Sequence, residues 1–364
     1  MTDNIKPVII LRDPEGAREQ LLPLSFTRPL SELRLGILTL REKWQLLLPG
    51  EYSWKTAPYL AEKFPCAGTV ANYTIDSDII PTATYVDALT RGIGMEPERI
   101  EHLYDIFLKN GETIRSDFAL ITQGRESQPL SSSCTLIGDP SQLFIEPGAI
   151  AEGCFLNVTR GPIYIGRNAE VMEGSALRGP IAICEHAVVN MGTKIYGDTT
   201  IGPWCKVGGE LNNVVMIGYS NKAHDGFLGN AVIGEWCNLG AGCVASNLKN
   251  DYTEIKLWNY PAHRFLRTGL QFCGLIMGDH SKAGINTMFN TATVVGVGVN
   301  IHGTGFPRNF VASFSEGGAS GFSDVPLTKF FDIAARVMAR RGKELTDIDR
   351  RIFKEIYDYA DRYK

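Results

Sequence analysis

A six-residue period in the middle of the chain restricts its fold more than any other feature of the sequence. Eight positions in steps of six are all aliphatic: Ile165, Val171, Leu177, Ile183, Val189, Ile195, Ile201 and Val207. Because hydrophobic residues make up 44% of the chain, the chance probability of such a run is about 0.001. The residue four positions after each of them is mostly small. A fixed period of this kind is typical of a repeat architecture.

The period fits a coil of three short strands that uses about eighteen residues, and it fits neither an α-helix nor one amphipathic strand. Stacked at the strand spacing of about 4.8 Å, such coils bury a narrow core that one coil alone cannot form. The pattern therefore predicts a left-handed parallel β-helix. Its phase is interrupted after Val207 and resumes at Ile233 and again at Met277. We predict that a loop leaves the β-helix between Val207 and Ile233.

The segments on either side of the repeats have a different character. Residues 8–11 predict a buried strand, and the spacing of apolar residues predicts a helix over 32–48. Residues 327–364 have helical periodicity, with Ser323 or Asp324 as the expected N-cap. We expect these helices to cover the open end of the coils. The predicted domains are an α/β domain over 1–133, a β-helix over 134–322 and a helical cap over 323–364.

The composition is that of a globular protein without a strong charge. Lys and Arg number 36, and Asp and Glu number 40, which gives a net charge of −4 with no long run of one sign. Such a balance argues against nucleic-acid or membrane-surface partners. There is no C-x-x-C pair, and the apolar run near the N-terminus is too short for a signal peptide or a membrane span. We therefore expect a cytoplasmic protein with free thiols.

Three short motifs carry most of the functional information. They are AHDGFLG at 223–229, NLGAG at 238–242 and NLKN at 247–250. They resemble the acetyltransferase half of the family of bifunctional N-acetylglucosamine-1-phosphate uridyltransferases/glucosamine-1-phosphate acetyltransferases. Residues 21–44 and 274–303 resemble an alternative bacterial branch of that family. The resemblance implies acetyl transfer from acetyl-CoA to an amino sugar phosphate such as glucosamine-1-phosphate, with uridylyl transfer from UTP as a second activity.

The resemblance also implies roles for residues within these motifs. His224 would be the general base that takes a proton from the acceptor amine, and Asp225 would orient its ring. Backbone N–H groups between Gly226 and Gly229 would stabilise the oxyanion. The residues expected to contact the substrate are Asn238 and Asn247.

Three positions depart from the pattern of the family. Phe227 replaces a tyrosine, and Asn212 and Thr253 stand where the family has lysines. Other cations would then have to hold the phosphate of the substrate. The residues expected to line the substrate site in this way are Phe227, Lys194, Lys222 and Lys249.

The two remaining ligands have candidate residues as well. The acyl donor is expected along the later coils, at Ser281, Asn286, Thr287 and Arg308. The resemblance implies that residues 1–133 are a reduced nucleotidyltransferase-like α/β domain. In this domain, the strand over 8–11 is not followed by the glycine-rich loop of ordinary nucleotidyltransferases. The residues expected to bind a nucleotide are Asp13, Arg18 and Arg28, with Mg²⁺ held by Asp76 and Asp78.

Several alternatives stay open at this point. A zinc enzyme on the same scaffold would need closely spaced histidines, whereas the six histidines of this chain lie far apart. A non-catalytic or regulatory nucleotide-sugar-binding protein would bind without turnover, and a nucleotidyltransferase alone would use only the N-terminal domain. By resemblance, the acetyl-transfer sites lie between neighbouring β-helices, so a homotrimer with closed threefold symmetry is expected.

Overall fold

The computed structural model describes residues 6–68 and 70–363, and the described chain begins with a small α/β unit. A parallel sheet has Val8–Arg12 between Glu51–Lys55 and Tyr73–Asp76, which confirms the predicted strand. The helices of this unit are α1 (Ala17–Gln20), α2 (Leu40–Leu47), α3 (Ala83–Thr90) and α4 (Asp105–Thr122). The sheet, α2 and α3 enclose a small apolar core.

The helix predicted over residues 32–48 is shorter, and this prediction was wrong in its first half. Arg34–Leu35 and Leu38–Thr39 form a tight hairpin instead, with a left-handed glycine between them. The helix begins after Thr39, whose hydroxyl accepts a hydrogen bond from the N–H of Glu42 while the Glu42 carboxylate accepts one from the N–H of Thr39. This reciprocal capping fixes the start of the helix, although the apolar spacing begins earlier.

The centre of the chain is a three-sided parallel β-helix of about ten turns, which confirms the predicted fold. Its faces are called A, B and C in the order in which each coil visits them. The strands of face A are Thr135–Ile137, Phe155–Asn157, Ala176–Arg178, Lys194–Ile195, Val244–Ala245 and Met288–Phe289. Glu210–Gly218 and Phe227–Glu235 run from face A onto face B.

Faces B and C complete each coil. The other strands of face B are Leu143–Ile145, Ile163–Ile165, Ile181–Ile183, Thr199–Ile201, Ile276–Met277, Val294–Val295 and Phe310–Val311. The strands of face C are Ile150–Ala151, Glu170–Val171, Val188–Val189, Lys206–Val207, Asn221–Lys222, Asn238–Leu239, Lys282–Ala283, Asn300–Ile301, Ser315–Gly318 and the antiparallel Gly321–Asp324. The eight aliphatic residues of the period line the interior and are each at most 2% exposed.

The interruption between residues 207 and 233 is not a loop, so that prediction was wrong. Glu210–Gly218 and Phe227–Glu235 pass from face A to face B without a break, and the coils that contain them are shorter than the others. The chain leaves the β-helix later, over residues 246–275, which are called the excursion below. Its hairpin strands are Lys256–Asn259 and Arg264–Arg267. The excursion begins and ends at the edge between faces A and B.

The outer side of face B is buried under the N-terminal unit. Val215, Val232 and Ile276 point outwards on this face and are fully buried. They share one apolar cluster with residues that follow the first strand of the α/β sheet, namely Leu21, Leu22, Leu24 and Phe26. Faces A and C are therefore the faces of the β-helix that remain open to solvent or to another chain.

Two C-terminal helices follow the last coil, as predicted: α5 (Leu327–Ala339) and α6 (Asp347–Ala360). The N-cap of α5 is Pro326, and neither of the two residues predicted for that position provides it. α5 lies along the edge between faces B and C, where Phe330 packs against Phe314 and His280. α6 reaches the N-terminal unit through an ion pair between Asp349 and Lys63 (2.8 Å). No helix in the described part of the chain is long and apolar enough to cross a bilayer.

Large rings occupy the corner between faces B and C in successive coils. His186, Trp204, Tyr219, Trp236 and His280 all have a left-handed φ between 54° and 61°. Such a conformation costs roughly 1–2 kcal/mol for a residue with a Cβ. Stacking of neighbouring rings offsets part of this cost, with centroids 4.1 Å apart for the first pair and 4.3 Å for the third and fourth rings. This aromatic column forms the side of the β-helix against which α5 packs.

The column ends at Gly298, and this glycine makes room for α5. Its φ is 68°, and a Cβ there would lie 2.9 Å from the Phe330 ring and 3.0 Å from Phe314. We expect Gly298→Ala to lower the free energy of unfolding by about 1–3 kcal/mol, because it adds overpacking to a strained φ. Gly192 has the same kind of φ (70°) with no neighbour within 4 Å. In urea titrations, Gly192→Ala should lower the free energy of unfolding by the cost of backbone strain alone. An equal decrease in the free energy of unfolding in both variants would exclude the clash with α5.

Candidate active site

His224 lies on the edge between faces C and A, at the place where the sequence motifs are densest. It follows the face C strand Asn221–Lys222, its side chain is exposed, and neither ring nitrogen has a hydrogen-bond partner among the described residues. In the preceding coil the corresponding positions are Gly208 and Gly209, where a Cβ would overlap the backbone of residues 223–226. These glycines let the two coils approach closely beneath the imidazole. The imidazole therefore projects from a closely packed edge, and neither of its nitrogens is used by another described residue.

Lys222 points away from solvent, into the interior of the β-helix. It occupies the position that Val207 fills one coil earlier, and its side chain is fully buried. The ammonium donates hydrogen bonds to the carbonyl oxygens of Gly208 (3.2 Å) and His224. Lys222 therefore supports the corner that carries the imidazole from below, and its amine does not reach the outer surface.

Burial lowers the pKa of Lys222 below the ordinary value for lysine. Between that lowered pKa and the ordinary value near 10.4, the unfolded chain binds more protons than the folded chain. The contribution of Lys222 to stability therefore rises with pH in this window. We expect the free energy of unfolding of wild type to rise relative to that of Lys222→Met as pH increases from 7 to 10. A difference that does not change with pH in urea titrations would contradict the burial of this amine.

Outward residues of successive coils form a polar row across face C next to His224. Lys206 pairs in register with Asn221, Asn221 with Asn238, and Asn238 with Lys282. The row lines a cavity of about 540 Å³ that extends from His224 on one edge to α5 on the other. The predicted residues His224 and Asn238 thus meet in one cavity. Asp225 is exposed beside His224, and its carboxylate makes no hydrogen bond to that ring in the described structure.

Asn247 and Phe227 lie elsewhere, on face A and its edge with face B. The side chain of Asn247 donates to the Oδ1 of Asn230 (2.8 Å). A Cβ on Gly229 would lie 2.6 Å from the Phe227 ring and 2.7 Å from the Asn247 amide. The glycine therefore allows the ring and the amide to lie side by side over the backbone. The structure does not bring these two residues to His224 within one chain.

The two other lysines predicted to contact the substrate, Lys194 and Lys249, lie on face A and in the excursion. Lys194 is exposed on face A, with its ammonium 3.7 Å from Glu210. Lys249 lies in the excursion, where it donates to the hydroxyl of Thr253 (2.5 Å) and is 3.7 Å from Asp251. Neither lysine lines the cavity that contains His224.

A larger groove, of about 1220 Å³, runs between the excursion and the last coils at the A–B edge. Its apolar wall includes Trp258, Phe265 and Phe306, and the latter two are 39% and 50% exposed. Arg308 and Asn290 contribute polar groups. The groove can accept a long ligand with a planar ring and a phosphate.

The other residues predicted for the acyl donor do not reach this groove. The hydroxyl of Ser281 is fully buried and donates to the carbonyl of Gly296 (2.6 Å). Thr287 is also buried, and its hydroxyl donates to the carbonyl of Gly284 (2.8 Å). Asn286 is exposed on the C–A edge with a left-handed φ of 57°. Ser281 therefore links its coil to the next one, and Thr287 holds the corner of its own coil.

Asp13 and Arg18 hold the segment that follows the first strand of the α/β sheet. The two side chains form an ion pair (3.1 Å), and both are buried. Arg18 also donates to the carbonyl oxygens of Arg28 (2.9 Å) and Ser25 (2.5 Å). Asp13 accepts from the N–H of Leu30 (3.0 Å). These bonds use most of the polar atoms that would otherwise face a nucleotide.

Arg28 joins the N-terminal unit to the β-helix. Its buried guanidinium forms a close ion pair with Asp279 and a second one with Glu235 (3.3 Å). Asp279 also accepts from the hydroxyl of Thr27 (2.5 Å). A nucleotide phosphate would have to displace this pair to reach Arg28.

The two predicted Mg²⁺ ligands are paired with arginines at the ends of the parallel strands. Asp76 contacts Arg12 through one carboxylate oxygen and Arg99 (3.2 Å) through the other. Asp78 contacts Arg99 (2.7 Å). Within residues 6–68 and 70–363, no three His, Cys, Asp or Glu side chains are grouped so that they could hold a metal ion. The arrangement does not fit Mg²⁺ as it stands, because each carboxylate would first have to release a guanidinium.

The sequence analysis did not identify four cations that line the cavity together with His224: Lys206, Lys282, Arg340 and Arg341. The two lysines could have been found by continuing the strand register, because each precedes an interior residue of face C. The two arginines belong to the C-terminal end of α5, and the repeat pattern contains no signal for where that helix packs.

Comparison with known families identifies the N-terminal unit. Residues 9–96 match the family model described as sugar nucleotidyl transferase. The chain joins a sugar nucleotidyl transferase domain to a hexapeptide β-helix. The matched residues contain the sheet and the candidate nucleotide and metal residues described above.

The relatives of this chain are distant. The bifunctional protein GlmU of Trichodesmium erythraeum is 25% identical over 38% of this chain and 25% of its own length. A bifunctional sugar-1-phosphate nucleotidylyltransferase/acetyltransferase of Sulfurisphaera tokodaii is 27% identical over 39% of this chain and 36% of its own length. The matches therefore span well under half of either relative. The solved structure of an Arabidopsis UDP-N-acetylglucosamine acyltransferase aligns with 63% of this chain and over 92% of its own chain, with 13% sequence identity and a TM-score of 0.25.

Proposed function

We propose that the β-helix transfers an acetyl group from acetyl-CoA to the amino group of a sugar phosphate, with glucosamine-1-phosphate as the expected acceptor. The observation that carries this proposal is the free, exposed imidazole of His224 at the rim of a polar cavity that also presents Asn238. The name of one relative, the bifunctional sugar-1-phosphate nucleotidylyltransferase/acetyltransferase, includes an acetyltransferase and supports the same reaction class.

The imidazole supplies the first proton transfer of this reaction. His224 accepts a proton from the ammonium of the acceptor, so that the amine can attack the thioester carbonyl. A carbon–nitrogen bond forms and the carbon–sulfur bond breaks. The attacking nitrogen loses a second proton as the amide forms, the leaving thiolate takes up one proton to give free coenzyme A, and the other proton passes to solvent. Asn238 offers an amide N–H to the sugar or to the oxyanion from the neighbouring coil.

The acyl donor would occupy the groove at the A–B edge, whereas His224 lies on the C–A edge. One chain therefore presents two halves of a site on different edges. A ring of three copies would bring the A–B edge of one copy to the C–A edge of the next. Exposed apolar side chains favour such contacts: they are Phe155, Val244 and Met288 on face A, and Met191 and Ile285 on the C–A edge.

An assay of thiol release with matched acceptors tests the proposed reaction. Glucosamine-1-phosphate should release free coenzyme A from acetyl-CoA, and glucose-1-phosphate, which has a hydroxyl in place of the amine, should not. A hydroxyl is a weaker nucleophile than an amine, so the matched sugar should react far more slowly, if at all, in a site built for an amine. Equal release with both sugars, or release only without any acceptor, would count against acyl transfer to an amine.

Hybrid oligomers test whether the site is shared between chains. His224→Ala and Asn247→Ala chains with different tags should each be inactive alone. Co-expressed and purified through both tags, they should regain activity, because an intact His224 then faces an intact Asn247 of the next copy. Inactive hybrids, or a fully active monomer in sedimentation, would show that the site is not shared.

Nucleotidyl transfer is the second candidate function, and the family match over residues 9–96 favours it. The cluster of Arg12, Asp76, Asp78 and Arg99 lies at the carboxyl ends of parallel strands, where ligands of such sheets bind. Uridylyl transfer from UTP would release pyrophosphate and would require these ion pairs to open. The eight cysteines are all free, which agrees with a cytoplasmic site for either reaction.

A further inference from the structure

The cavity on face C contains an unusual set of charges. Its lining includes four cationic side chains, Lys206, Lys282, Arg340 and Arg341, together with His224. None of the residues that line it is an Asp or a Glu. Among the described residues, no carboxylate forms an ion pair with any of these four cations. Cations of a globular protein that stand together without a carboxylate repel one another, so an anion between them would be stabilised.

A second cavity of the same protein provides a comparison. Arg28, Arg34, Arg41 and Lys63 line a space of about 310 Å³ between the N-terminal unit, the β-helix and the C-terminal helices. Each of these four cations faces a carboxylate of the same cavity. The cavity on face C therefore differs from this second cavity, in which each cation is paired with a carboxylate.

Two elements hold the four cations in place. Lys206 and Lys282 belong to the outward row of face C, and the ammonium of Lys282 donates to the carbonyl of His280 (2.9 Å). Burial lowers the pKa of Lys282 to about 8, so its charge is poorly compensated. Arg341 is anchored by a hydrogen bond to the Oδ1 of Asn221 (3.3 Å). The C-terminal end of α5 thus closes the side of the cavity opposite His224.

We infer that face C and α5 together form a binding site for the phosphate group of a phosphorylated small molecule, held by Lys206, Lys282, Arg340 and Arg341. Arginine offers a planar pair of N–H donors that matches phosphate oxygens. The half-buried ring of Tyr219 and the buried ring of Trp236, stacked 4.3 Å apart, line the cavity next to these cations and would contact the rest of the ligand. The inference deepens the proposed function, because this phosphate belongs either to the sugar acceptor or to the coenzyme A donor.

Sulfate binding tests the site without any turnover. Calorimetry at pH 7 with the full chain should show saturable binding of sulfate, which is a dianion at this pH. Arg340→Ala combined with Arg341→Ala should weaken that binding by at least about tenfold, because two charge-assisted contacts are lost. Arg336→Ala removes an exposed arginine of the same helix that does not line the cavity, and it should leave the affinity unchanged.

Competition identifies the source of the phosphate. Glucosamine-1-phosphate or free coenzyme A should displace sulfate from wild type, and the double variant should lose affinity for the same ligand by a similar factor. Displacement by either ligand supports the site. A protein that shows no acyl-transfer activity, but whose sulfate binding depends on Arg340 and Arg341, would overturn the proposed function alone. Equal sulfate affinity in wild type and the double variant would overturn the site.

Discussion

Replacing His224 with Ala is expected to lower kcat of acyl transfer by roughly 10²- to 10⁴-fold, the usual contribution of a general base. The side chain is exposed and has no hydrogen-bond partner among the described residues, so its loss leaves no buried group unpaired. The free energy of unfolding should therefore stay within about 0.5 kcal/mol of wild type. Initial rates of thiol release at saturating substrate, together with urea titrations, measure the two effects separately.

His302 provides a matched control for this variant. It is an exposed histidine that follows the face C strand Asn300–Ile301, on the same edge a few coils later. His302→Ala should retain the kcat of wild type, because it lies outside the cavity that contains His224. An undiminished kcat in His224→Ala, or an equal loss in both variants, would exclude the imidazole as the base.

Replacing Arg28 with Ala is expected to cost about 3–5 kcal/mol of unfolding free energy, the usual effect of breaking a buried ion pair. The variant leaves the buried carboxylate of Asp279 without its cation, and Glu235 loses the same partner. Because Arg28 joins the N-terminal unit to face B, this unit should separate from the β-helix at lower urea concentrations. Denaturation followed by tryptophan fluorescence and by circular dichroism measures both changes.

Arg12→Ala is the appropriate comparison for Arg28→Ala. Arg12 also pairs with an aspartate, Asp76, but its side chain is 47% exposed. Its loss should cost no more than about 1 kcal/mol. If Arg28→Ala were as mild as Arg12→Ala and reduced only nucleotide affinity, then Arg28 would be a ligand residue, as the sequence suggested, and not a link between domains.

The sequence was sufficient to predict the β-helix. Interior positions of a stacked coil recur at a fixed period and are mostly aliphatic or small, so residues such as Ile165 and Val207 reveal the fold directly. The same register indicates which side chains point outwards. It therefore also brings Asn238 and Lys282 next to each other on face C, once the strands are aligned.

Contacts between separate elements could not be predicted in this way. The pairing of Arg28 with Asp279 depends on how the N-terminal unit packs on face B, and no periodicity records that packing. Lys222 falls on an interior position only because the preceding coil is short. The repeat pattern therefore suggested an exposed cation where the structure has a buried one.

The position of the α5 arginines could not be predicted either. They reach the cavity because α5 follows the aromatic column, and tertiary contacts set the path of this helix.

The most direct test of acyl transfer at the β-helix uses one incubation of the full chain with acetyl-CoA, glucosamine-1-phosphate and UTP. Free thiol and pyrophosphate are assayed separately in the same sample. We expect thiol release that requires the amino sugar and that is lost in His224→Ala, whether or not pyrophosphate appears. Pyrophosphate without any thiol would contradict the account, because it would place all activity in the N-terminal domain and leave the imidazole on the C–A edge without a reaction.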